Sequence, residues 1–125
     1  MSDLVAFLRA RLDEDEKTAR AAAEGPWKIR KSTRALDDEL GISSGDVEIV
    51  GPGYEGGGVW DRPDAEHIIR HDPARVLDEV DAKRRILDEC NWGGPDHGDV
   101  YWAVLERLAL PYAGHPDYRG EWRPR

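Results

Sequence analysis

The dipeptide Asp72-Pro73 restricts this chain more than any other feature of its sequence. Proline has no backbone N–H and holds φ near about −65°, so it opens a helix well and continues one badly. The residue before it is pushed out of the right-handed helical region, so a helix arriving from the N-terminal side must stop short of Asp72. Residues 64–71 therefore read as a short helix, Asp72 as an N-cap, and Pro73 to about Cys90 as a second helix. Val76, Leu77, Val80, Ile86 and Leu87 supply the apolar face of that second helix.

The same rules divide the rest of the chain. Ser2 or Asp3 caps a first helix of about 3–23, in which Leu4, Val5, Leu8 and Leu12 make one apolar stripe with Phe7 on its flank. Gly25-Pro26 stops it. Trp27–Lys31 alternates large apolar and basic side chains, the pattern of a half-exposed strand. Residues 32–44 are polar and read as a loop or a short helical turn. Val47–Val50 is a second strand, and Val59-Trp60 follows a glycine-rich turn. Residues 91–98 form a loop. Asp99 caps a final helix of about 99–110 whose Val100, Val104, Leu105 and Leu108 face the core, and residues 111–125 form an extended aromatic tail. The prediction is an α+β fold in one domain over residues 1–125. A small antiparallel sheet of two or three strands packs against three to four helices.

Charge narrows the partners. With 26 acidic and 18 basic residues the formal net charge is −8. A field of that sign repels a phosphate backbone, which disfavours nucleic acid as a partner. The strongest basic cluster is Lys83-Arg84-Arg85 with Arg70 and Arg75. Asp78, Glu79 and Asp81 lie within a turn of its core, which makes it a solvated, paired face. No window approaches the ~18 apolar residues that span a bilayer, so no membrane role is expected. The one cysteine, Cys90, excludes an intrachain disulfide and fits a reducing cytoplasm, the expected location in the absence of a signal-peptide pattern.

Two segments, "DAEHIIRHDPARVLDEVDAKRRIL" at 64–87 and "LALPYAGHPDYRGEW" at 108–122, closely resemble small proteins of actinobacteria and their phages. The opening "DLVAFLRARLDEDE" and the "GPW" at 25–27 are similar to the same group, a family defined by a domain of unknown function. The resemblance implies an order of elements and a phage or prophage association, and it implies no activity. Relatives often carry several cysteines before the last helix in a pattern like a zinc knuckle. Here Cys90 followed by His97 is all that remains, so the resemblance implies a lost site.

Two constellations carry chemistry. His67 and His71 stand four apart on a predicted helix, so both imidazoles share one face and could chelate a metal, with zinc the natural ion. Cys90 and His97 could add ligands, and His115 or Asp72 could complete that sphere. The alternative function is thus a metal-binding protein or metal-dependent enzyme. The second constellation is aromatic. Trp27, Tyr54, Trp60, Trp92, Tyr101, Trp102, Tyr112, Tyr118 and Trp122 are too many for one small core. Some must form a surface, and exposed Trp and Tyr mark interfaces. Trp92, Trp102, Tyr112, Tyr118 and Trp122 are the candidate partner-binding residues, the tail either clasping the core or presenting that surface. No titratable pair has the spacing of a known catalytic motif. Interaction with another protein, or with a second copy, is therefore expected ahead of catalysis.

Overall fold

The computed structural model describes residues 2–31, 40–51, 58–59, 61–92 and 98–125, with backbone alone at positions 2, 91 and 92. In chain order these form α1 (Ser2–Ala21), β1 (Lys28–Lys31), β2 (Leu40–Ser44), β3 (Val47–Val50), α2 (Arg62–Arg70), α3 (Pro73–Trp92) and α4 (Gly98–Ala109). Among the described residues this is an α+β fold of four helices and one three-stranded antiparallel sheet, as expected. The chain divides into two compact units, one of Lys17–Asp78 and the other of Met1–Glu16 with Glu79–Arg125.

In the unit Lys17–Asp78 the strand order is β1-β2-β3. Ile42 on β2 lies between Ile29 on β1 and Val50 on β3, so one apolar row crosses the sheet. Leu40 extends the pairing to Val59 through two backbone hydrogen bonds of 2.8 and 2.9 Å. Helix α2 packs against β1 and β2 and buries Ala65 there.

The central strand corrects the sequence reading, which placed residues 40–44 in a loop or turn. Leu40, Gly41, Ile42 and Ser43 are all buried. A strand covered so completely needs small residues as well as large ones, and Gly41, Ser43 and Ser44 gave the segment a loop-like polarity. Ser43 is tolerated inside because Arg30 Nε donates to its Oγ at 2.6 Å. Gly45, at φ +55°, begins the turn that carries β2 directly into β3. The expected strand at Val59-Trp60 is a single bridge at Val59, and Trp60 and Tyr54 lie outside the described residues.

The junction between α2 and α3 forms as Pro73 requires. His71 closes α2 by donating its backbone N–H to the carbonyls of His67 and Ile68. Asp72, 5% exposed, then accepts the N–H of Arg75 on Oδ1 at 3.0 Å, the N-cap bond expected of it. Its other oxygen, Oδ2, accepts the N–H of Trp27 at 2.9 Å.

In the other unit, Leu4, Val5, Phe7, Leu8 and Leu12 of α1 are buried. So are Val80, Leu87 and Cys90 of α3, Leu105 and Ala109 of α4, and Trp122. Each leucine so buried contributes about 2 kcal/mol of transfer free energy. Arg84 reaches Asp13 at 2.7 Å and Glu16 at 3.1 Å, and Arg9 reaches Asp88 at 3.1 Å. Arg84, assigned to a solvated basic face, therefore carries its own counter-ions. Two side chains depart from the expected core. Val100 is 62% exposed, because the buried stripe of α4 runs through Leu105 and Ala109 and Val100 lies well round the helix from it. Ile86 turns outward for a similar reason beside Leu87. The helix begins at Gly98, so Asp99 stands in its first turn instead of preceding it.

Candidate functional site

The tail is coiled, which corrects the extended segment expected over 111–125. It makes 3-10 turns at Leu110–Tyr112 and Gly120–Trp122. Short backbone hydrogen bonds link them, among them His115 N–H to Tyr112 O at 2.9 Å and Tyr118 N–H to His115 O at 3.0 Å. These turns bring four rings onto Phe7. Ring centroids lie 6.4 Å away for Tyr112, 5.7 Å for His115, 6.0 Å for Tyr118 and 5.1 Å for Trp122. Phe7, read as a flank residue, is instead the point on which the tail closes, since edge-to-face packing favours several rings around one.

Polar contacts fix the same segment. The buried Arg11 sets its guanidinium over Phe7 and donates through Nη1 to Nδ1 of His115 at 2.9 Å. The N–H of Asp117 also donates to that Nδ1, at 3.0 Å. Arginine only donates, so Nδ1 is the acceptor and the neutral ring carries its proton on Nε2. Tyr112 donates its hydroxyl to Asp15. Burial, and then that hydrogen bond, push the phenol well above the usual tyrosine range.

A groove of about 380 Å³ opens beside this cluster, lined by Asp3, Leu4, Trp102, Arg119, Glu121 and Trp122. Helix α4 supplies the half-buried Trp102, and the second 3-10 turn supplies Trp122, 4% exposed. Arg119 lies over the Trp122 ring, 5.4 Å from its centroid, and reaches Asp3 at 3.0 Å and Glu121 at 3.7 Å. The groove thus has an aromatic wall and a charged rim that solvent reaches.

Of the five aromatic residues singled out, Trp102 and Trp122 meet at this groove, while Tyr112 and Tyr118 turn their rings toward Phe7. Nothing is described of the Trp92 side chain. The metal candidates are distributed differently. His67 and His71 sit together, exposed, with ring centroids 4.5 Å apart. His115 belongs to the Phe7 cluster, and His97 lies outside the described residues. Cys90 is buried, and desolvation with the neighbouring Glu89 pushes its thiol up. Among the described residues no group of three or more His, Cys, Asp and Glu side chains could hold a metal ion.

A family model matches residues 1–124. The chain belongs to DUF6221, a family of unknown function. No curated protein and no solved structure matches it significantly. Membership spans the length that the sequence resemblance covered, and it assigns this DUF6221 chain no reaction. No helix among the described residues is long and apolar enough to cross a membrane.

Sequence reasoning missed Asp3, Leu4, Arg119 and Glu121 as groove residues of this DUF6221 chain. Arg119 and Trp122 stand three apart, a spacing that a 3-10 turn places on one side, and this was the available signal. Asp3 had none, since its pairing with Arg119 joins residues 116 apart.

Proposed function

We propose that this DUF6221 chain is a small accessory protein that acts by binding another protein at the groove where Trp102 and Trp122 meet. The supporting observation is the convergence of two tryptophans from different elements on one groove with Arg119 at its edge. Tryptophan and arginine are the residues over-represented where binding energy concentrates, because they combine large apolar area with a polar handle. A partner segment with an apolar side chain would lie against the half-buried Trp102, with the buried Trp122 as the floor beneath it. A basic group on that segment would compete with Arg119 for Asp3 and Glu121, which are exposed enough to exchange partners. A second copy of the chain is one such partner. The motif resemblance supports placing this role in an actinobacterial phage or prophage setting.

Trp102 is the residue to change, because it lines the groove and is only half-buried. Affinity capture from an actinobacterial lysate, run side by side with wild type and Trp102→Ala, tests the reading, with light scattering for self-association. Proteins or oligomers held by wild type and lost by the variant are expected. Identical capture and identical monomeric mass for the two would overturn it.

A further inference from the structure

We propose that His67 and His71 form an open two-imidazole site for a divalent transition ion of the Zn²⁺ class. The backbone sets the spacing. His71 donates its N–H to the carbonyl of His67, so the two residues stand one helical turn apart on the same face. Asp72 and Pro73 follow at once, and the cap bond of Asp72 holds the residue after His71 in place. The helix end and the cap beyond it order the backbone of both residues, so an ion would have only two side chains left to order.

The ring geometry fits one ion. A Zn–N bond of about 2.0–2.1 Å puts the metal roughly 3.2 Å from the centre of each ligating ring. With a nitrogen of each ring turned to that ion, two centroids 4.5 Å apart would subtend roughly 90° at the metal. That is somewhat inside the tetrahedral angle that zinc favours, a difference that rotation of two exposed side chains closes. Both residues are exposed, so water can fill the remaining positions and the ion has a direct path in. Among the described residues neither ring is held in an ion pair that would have to break first. Imidazole nitrogen selects zinc, copper or nickel over magnesium and calcium, which require oxygen donors. Two protein ligands leave coordination open, so the site exchanges its ion and can accept a donor from a second copy of this chain.

The pair lies at the C-terminal end of α2, His71 capping it, and shares no residue with the tryptophan groove, so this inference stands apart from the proposed function. Titration of untagged full-length protein with Zn²⁺ followed by calorimetry tests it, with Mg²⁺ as a parallel arm. Saturable Zn²⁺ binding is expected at one ion per chain, or one per two chains with a matching doubling of mass in light scattering. His67→Ala and His71→Ala should each weaken it at least about tenfold, since either leaves a single imidazole in place of a chelate. His115→Gln should leave it unchanged. Circular dichroism of the two alanine variants verifies that α2 persists, their positions being exposed. Absence of saturable binding, or binding indifferent to both alanine substitutions, overturns the proposal.

Discussion

Asp72 holds the backbone N–H of Trp27 at 2.9 Å across 45 positions of sequence, with the carboxylate that also caps α3. One buried side chain therefore serves two segments. It satisfies a helix N-terminus and anchors the turn after α1, where the Gly25–Pro26 peptide bond is cis. An acidic group suits both tasks, since each oxygen accepts one N–H and the helix dipole favours the negative charge.

Replacing Asp72 by alanine should cost about 1–3 kcal/mol, the sum of a lost cap and a partly buried N–H left without its partner. Asp72→Ser keeps a capping hydroxyl and abandons Trp27, so it should lose about half as much. Guanidinium denaturation of the three proteins measures this. A loss under about 0.5 kcal/mol for the alanine variant would mean that the two bonds contribute no net stability.

Gly25 packs against the same junction. A Cβ there would lie 2.7 Å from Ala74 Cβ and 2.8 Å from Asp72 Oδ2. Gly25→Ala should accordingly destabilise by about 1–3 kcal/mol through overpacking. Gly114→Ala, where a Cβ meets nothing within 4 Å, should stay within about 0.5 kcal/mol of wild type. Thermal melts of both variants decide it, and equal melting temperatures would refute the steric reading.

Tyr112 gives a prediction at high pH. Its folded-state phenol is raised above the unfolded value, so folding keeps a proton that the unfolded chain releases. The linked stability is fully present below about pH 10 and falls as pH rises beyond it, by about 1.4 kcal/mol per unit for this one group. Denaturation curves from neutral to strongly alkaline pH should show that decline, reduced by one proton in Tyr112→Phe. Tyrosinate absorbance should lose a late-titrating phenol in Tyr112→Phe relative to the wild type. Identical alkaline slopes for the two proteins would contradict it.

Cys90 is 3% exposed and its thiol is raised by burial, so the reactive thiolate is scarce and shielded. Iodoacetamide should modify the native protein far more slowly than the unfolded one, by at least about a hundredfold at neutral pH. Mass spectrometry of timed aliquots reads the ratio. Comparable rates in the two states would show that α3 does not shield this position.

What the sequence disclosed follows from how local each signal was. Asp72-Pro73 marked the α2–α3 boundary because proline acts on its immediate neighbours, and the helix and cap formed where it required. The second bond of Asp72 was invisible, since nothing near residue 72 mentions Trp27. Strand β2 was missed because a strand buried on both faces has no alternation to detect, and its serines find distant partners, Ser43 in Arg30 thirteen positions away and Ser44 in the carbonyl of Glu24. In the groove, the tryptophans stood out by residue type. Asp3 and Leu4 join them only because the tail returns to α1.

That return has a consequence in time. The ring partners of Phe7 fall between residues 112 and 122, and Asp3 meets Arg119 across 116 positions. A ribosome adding about 5–20 residues per second needs roughly 6–23 seconds to cover that interval. Throughout it the first turns of α1 have been made and their aromatic partners have not. The unit Lys17–Asp78, whose sheet and cap bonds join residues within it, can assemble in the meantime. Helix α1, made ahead of the other described elements, is thus among the last to be finished, and its leucines and Phe7 are the surface a chaperone or an early misfolded contact would find.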